Sequence, residues 1–214
     1  MFNKRHIVRT IAATVSILAL SFTAACGSGQ STASNSTDSY DITQQTYKPG
    51  KLTIATGQPA YEPWVMNDKP ESGEGYEAAV AYAVADKLGF KKSDVVWTRT
   101  AFDTAIAPGA KDWDFNIQQF GITDERKKAV DFSSSYYNDS QSVVVKKDSK
   151  FANATKVSDL KDATVGVMVG TLAYDYAKAN IKDDIQTFND DAALAQALDA
   201  GQIDVLVTST VECV

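Results

Sequence analysis

Beyond residue 48 the chain alternates short apolar runs with amphipathic stretches of helical period. Leu52-Thr53-Ile54-Ala55, entered from Pro49-Gly50, reads as a strand. Tyr76, Val80, Val84 and Leu88 recur every four residues with Ala79 and Ala83 beside them, which predicts a helix with one apolar face, stopped at Gly89. Val95-Val96-Trp97 predicts the next strand, Phe102, Ala105 and Ile106 a short helix limited by Pro108, and Asp114-Phe115-Asn116-Ile117 a buried strand. The pattern then repeats: strand 165–169, helix 172–179, strand 185–188, helix 191–200 ended by Gly201, strand 204–207. This order specifies an α/β fold with largely parallel sheets and crossover helices. Ligands in such sheets bind at the carboxyl ends of the strands, where Tyr61, Phe102 and residues 121–126 fall.

The first 48 residues follow another logic. Lys4, Arg5 and Arg9 precede an apolar run, 11–25, that is short for a bilayer span and reads as a signal peptide, 1–25. It ends Thr23-Ala24-Ala25-Cys26-Gly27-Ser28, which resembles the lipobox of bacterial lipoproteins and implies lipidation of Cys26. Thr23 stands where that pattern prefers an aliphatic residue, and an ordinary secretory signal with a coincidental cysteine is the alternative. Residues 26–48 are rich in Ser, Thr, Asn, Asp and Gln and read as a disordered tether.

Composition narrows the chemistry. At 44% hydrophobic and 22% charged over 214 residues, the chain has ordinary globular composition. Loss of residues 1–25 lowers Lys plus Arg from 21 to 18 against 27 acidic residues, for a net charge of −9. Basic residues lie in isolated pairs without interleaved aromatics, so no nucleic-acid partner is expected. The one histidine, His6, leaves with the leader, which removes Ser-His and Cys-His nucleophiles and histidine-ligated zinc. Only Cys26 and Cys213 exist, so no internal disulfide is expected; nor is any metal or cofactor.

The most informative stretch is 112–137. Phe120-Gly121 follows its strand, and Thr123 reads as the N-cap of a helix with Asp124, Glu125 and Arg126 in the first turn. A guanidinium beside free backbone amides can hold a carboxylate. From the residues alone, a solvated arginine on a short surface helix is the preferred reading. However, Ile122-Thr123-Asp124-Glu125-Arg126-Lys127-Lys128, followed by Val130-Asp131-Phe132-Ser133 and Tyr136-Tyr137, resembles the signature of family 3 solute-binding proteins, the polar-amino-acid receptors of bacterial ABC importers. Gly75-Tyr76-Glu77, Phe102-Asp103, and Val165-Gly166-Val167 with Gly170-Thr171 match the family in the same order.

The resemblance implies a two-lobed periplasmic-binding-protein type II fold (Venus flytrap), with lobe one at 49–139 and lobe two at 140–214. It implies that Arg126 pairs with the ligand carboxylate while Tyr61 and Phe102 sandwich the side chain. Gln119 and Gly121 would offer backbone groups, and Thr171 and Leu172 would complete the anion site. Ser209 would take the amine position, where the family has an aspartate. Trp64 is expected in the core. Met168, being apolar, leans toward an uncharged ligand tail. Thr171 read on its own is equally a simple helix cap. The expected partners are a small amino acid, an ABC permease and the membrane through the Cys26 lipid, with the chain a monomer outside the cytoplasm.

Two departures stand out. Ser209 supplies no charge, and Val211-Glu212-Cys213-Val214 matches nothing in the family pattern, which continues into a return crossing. A truncated second lobe and an incomplete return to lobe one are therefore expected, and a non-functional fragment is one alternative. A dehydratase-like enzyme on the same fold is the other; it would need a carboxylate such as Glu62 as its acid or base.

Overall fold

The computed structural model describes residues 41–213. The signal peptide, Cys26 and the tether as far as residue 40 lie outside the described residues. Of the segment expected as tether, residues 41–48 are described. Asp41 caps a 3-10 turn, Ile42–Gln44, and the Tyr47 amide donates to Asp114 Oδ1 at 2.5 Å.

Two sheets are built on one plan. In lobe one, β1 (Leu52–Gly57) is central, with β2 (Val95–Thr100) and β3 (Phe115–Asn116) parallel on either side. Helices α1 (Tyr76–Lys87) and α2 (Phe102–Ile106) make the crossovers. The chain then passes to β4 (Gln141–Val145) in lobe two. There β5 (Val165–Met168) is central between parallel β6 (Ile185–Phe188) and β7 (Val205–Ser209), with α3 (Leu172–Asn180) and α4 (Asp191–Asp199) as crossovers. β4 adds antiparallel to β7, a pairing not legible in the strand pattern.

The same device pins both third strands. An aspartate just before the strand accepts an amide from the start of the central strand: Asp114 Oδ2 from Thr53 at 2.7 Å, Asp204 Oδ2 from Thr164 at 2.8 Å. The central strand of each sheet is buried on nearly every position, so period-two alternation there sorts residues between helix layers rather than between core and water. Val165, Val167, Val205 and Val207 pack with Ala173 and Ala177 of α3, while Leu206 turns to Leu194, Ala197 and Leu198 of α4.

The face of α1 differs from expectation. Ala78, Ala81 and Ala85 are buried with Glu77, whereas Ala79 and Ala83 are exposed and Tyr76 is 41% exposed. The alanine stripe lets the helix lie close on Leu52, Ile54 and Phe115, and Val80, Val84 and Leu88 flank it half-buried. The helix expected at Thr123 is a single 3-10 turn, Arg126–Lys128, because Val130 must re-enter the core at 2% exposure.

Candidate functional site

The carboxyl ends of both sheets open onto one cavity of about 540 Å³. Its walls include the segments after β1 and β3 and the helix start after β2; from lobe two come the turns after β5, β6 and β7. All nine residues expected at the ligand, Tyr61, Phe102, Gln119, Gly121, Arg126, Met168, Thr171, Leu172 and Ser209, line it. Trp64, expected in the core, is 3% exposed with its edge on the same wall.

Arg126 bridges the lobes. Thr123 Oγ1 accepts the Arg126 amide at 3.1 Å, fixing where the side chain starts. The guanidinium donates from Nη1 to the Gly121 carbonyl at 2.8 Å and from Nη2 to the Gly170 carbonyl of lobe two at 2.7 Å. It lies over Phe102 and Phe120, 5.7 and 5.5 Å from the ring centroids, and those two rings stack at 4.0 Å. Burial pulls its pKa below the usual arginine value, and among the described residues it makes no salt bridge. A half-buried guanidinium with no carboxylate hydrogen-bonded to it, and only Asp175 acting on it from a distance, is suited to an incoming one.

Across the cavity the turn after β5 is shaped by Gly170 at φ +74°. Thr171 caps α3, accepting from Tyr174 N at 3.3 Å and donating to Met168 O at 2.8 Å. The next two amides, Leu172 and Ala173, are first-turn donors of that helix without a backbone acceptor among the described residues. Leu172 also packs so tightly on Gly121 that a Cβ there would overlap its side chain.

Several expected roles shift. The amide of Gln119 donates to Glu77 Oε1 at 2.8 Å and is not free for a ligand; the Gly121 carbonyl is taken by Arg126. Phe102 stacks on Phe120, while the Tyr61 hydroxyl reaches lobe two and accepts from Ala192 N at 3.2 Å. The Ser209 hydroxyl accepts from Val211 N at 3.3 Å. Glu62 is exposed, accepts from Asn67 N at 3.1 Å and does not line the cavity. The carboxylates that do are Asp139, Asp190, Asp191 and Glu212, which sequence reasoning missed. Asp190 and Asp191 had a visible signal, since they end β6 as surely as Gly170 ends β5.

Glu77 supports the site from behind. It is 0% exposed and accepts from the Tyr136 hydroxyl of the interlobe crossing and from both nitrogens of Gln119. Burial nevertheless pushes its carboxyl from the ordinary 4.5 up to about 7. An acid raised in the folded state adds stability that is full below its unfolded pKa and fades as pH rises through the folded one. Between pH 4.5 and about 7 this group therefore withdraws roughly 3 kcal/mol. Glu77→Gln is expected to flatten that part of the stability–pH curve, measured by urea melts of both proteins; parallel curves would contradict the assignment.

A family model for bacterial extracellular solute-binding proteins, family 3, matches residues 52–168. The L-cystine-binding protein TcyJ of Escherichia coli K12 is 32% identical over 149 residues, covering 69% of this chain and 54% of that protein's length. The chain thus spans about half of that relative. A glutamine-binding protein of Geobacillus stearothermophilus is 31% identical over 225 residues, covering 96% of this chain and 82% of the relative. Among solved structures, an ancestral amino acid-binding protein, a precursor of cyclohexadienyl dehydratase, superposes with a TM-score of 0.64 at 33% identity, over 75% of this chain and 70% of that one. With a cavity at the strand ends of two like-built lobes and a match across more than half its length, this chain belongs to the bacterial extracellular solute-binding proteins of family 3.

Proposed function

We propose that the chain is the extracytoplasmic substrate-binding component of an ABC importer. It closes around a polar amino acid or related small carboxylate and delivers it to a membrane permease. The observation that carries this reading is Arg126, desolvated between the Gly121 and Gly170 carbonyls and facing the α3 amides across the cavity. On ligand entry the carboxylate displaces the Gly170 carbonyl from Nη2 and collects the Leu172 and Ala173 amides, so one anion closes the lobes on itself. Tyr61, Phe102 and Met168 form walls around the remainder, and Ser209 offers a hydroxyl. No bond is made or broken, and the protein works as a monomer held to the membrane by a lipid on Cys26.

A thermal-shift screen against the amino acids and small carboxylates tests this. At ligand concentrations about 100-fold above Kd, linkage adds about 2.7 kcal/mol and raises the melting temperature by several degrees. A folded protein with an unmoved transition throughout the screen would sink the proposal. Because a structural neighbour is the precursor of a dehydratase, the bound compound is also recovered and analysed; it is expected back unchanged.

A further inference from the structure

The first turn of α1 holds the connection between the lobes from two adjacent residues. The Tyr76 hydroxyl donates to the Tyr136 carbonyl at 2.7 Å, and the Tyr136 hydroxyl donates to Glu77 Oε1. The rings of Tyr76 and Tyr136 lie stacked. Tyr137 meets Tyr76 and Trp64 in T-shaped contacts, with centroids 5.4 and 5.1 Å apart. The chain enters β4 of lobe two just beyond these rings, so α1 of lobe one sets the direction in which it leaves.

The same carboxyl reaches the wall that carries Arg126. Glu77 Oε1 also accepts the Gln119 amide at 2.8 Å, and Oε2 accepts the Gln119 side-chain nitrogen. Gln119 sits at φ +50°, a left-handed conformation that residues with a side chain rarely adopt and keep only where their surroundings impose it. With both nitrogens fixed, Gln119 dictates where the next two residues go. Phe120 stacks on Phe102 against the guanidinium, and the Gly121 carbonyl accepts from Arg126 Nη1 at 2.8 Å. One oxygen, Oε1, is thus shared between the interlobe connection and the segment that aims Arg126.

We propose that Glu77 is a positioning residue for the carboxylate grip, acting through Gln119 on the bed of Arg126 and tying that grip, through the Tyr136 hydroxyl, to the setting of the interlobe connection. This rests on the amino-acid-binding reading above and deepens it. Glu77 is 0% exposed and does not line the cavity, so a ligand feels it only through residues 119–121. Deleting its side chain takes the acceptor from the Tyr136 hydroxyl and from both Gln119 nitrogens. Gln119 then has less to hold it at positive φ. A glutamine at 77 keeps an oxygen for the hydroxyl and the amide, and turns its nitrogen to the side-chain oxygen of Gln119.

The test is calorimetry of the whole chain with L-glutamine and L-arginine, each as the free amino acid and as its α-carboxamide. The ratio of the two affinities isolates the carboxylate grip. Glu77→Ala should weaken binding of the free amino acids about 10-fold or more and of the carboxamides far less, so the ratio falls. Tyr136→Phe should lower the ratio about 5-fold; Tyr136 also lines the cavity, and Phe keeps the ring while removing the hydroxyl that Glu77 holds. Glu77→Gln should restore most of what Glu77→Ala loses. Equal losses for acid and carboxamide, or an unchanged ratio in a less stable protein, would show that Glu77 only holds the fold together; that would overturn the inference and leave the binding reading standing. If neither amino acid binds, the pair is made from the compound the thermal screen returns, and silence throughout that screen removes the binding reading and this inference with it. Should Glu77→Ala fail to fold, Tyr136→Phe decides.

Discussion

Arg126→Ala lowers affinity for the amino-acid ligand by roughly 30- to 4,000-fold, the range for removing one partner of a desolvated charge pair. Lys127→Ala, one residue along, leaves it nearly unchanged. The contrast follows from position. Lys127 is an exposed side chain paired with exposed Asp124 at 3.1 Å, and such pairs contribute little. Arg126 is half-buried over two phenylalanine rings, joins both lobes, and is the one cation among the described residues of the cavity wall. Its loss strands the ligand carboxylate, which takes the place of the Gly170 carbonyl in holding the lobes together. Arg126→Lys should recover only part of the affinity, because an ammonium lacks the planar fork that serves the Gly121 carbonyl and a carboxylate together. Calorimetry of the three variants checks this; equal losses at 126 and 127 would contradict it.

The second large effect concerns stability. Gly75→Ala is expected to cost about 3 kcal/mol or more, through strained backbone and steric overlap together. Gly75 precedes α1 at φ +100°, and a Cβ would sit 2.5 Å from the Trp64 carbonyl oxygen and 2.8 Å from Val65 Cα. These are backbone atoms that cannot swing aside. The amides of Tyr76 and Glu77 bond back to Pro63 and Trp64 at 3.0 Å, so displacing the turn breaks the joint that seats Glu77. Gly201→Ala isolates the conformational part, for it also has positive φ, +71°, but open space where the Cβ would stand. It should cost only about 1 kcal/mol. Urea melts measure both, and similar losses at the two positions would show that overlap with Trp64 is unimportant.

Much of this was legible before any coordinates. The lobe-two elements fall within a residue or two of the periodic pattern, because short apolar runs there are punctuated by Gly170 and Gly201 and capped by Thr171 and Asp190. The rule that ligands meet strand ends pointed to Tyr61, Phe102 and residues 121–126, the family resemblance supplied the rest, and all nine line one cavity. What failed depends on partners distant in sequence. Glu77 entered only as part of the Gly75-Tyr76-Glu77 match, and its burial depends on Gln119 and Tyr136, 42 and 59 residues away, which close over it. Tyr76 looks like a core position and is displaced by three alanines that let α1 approach its sheet. The Thr123 turn carries strong helix-start signals, yet Val130 ends it after one turn. Glu212 lay in a tail that matched no pattern, so nothing marked it as a wall of the site.

The account stands on a carboxylate gripped by Arg126 and the α3 amides. The direct test titrates the folded chain with its tightest-binding amino acid and then with the carboxamide of that same compound. Removing only the negative charge should weaken binding by about 30-fold or more. A carboxamide that binds as tightly as its parent would show that the guanidinium serves some other purpose.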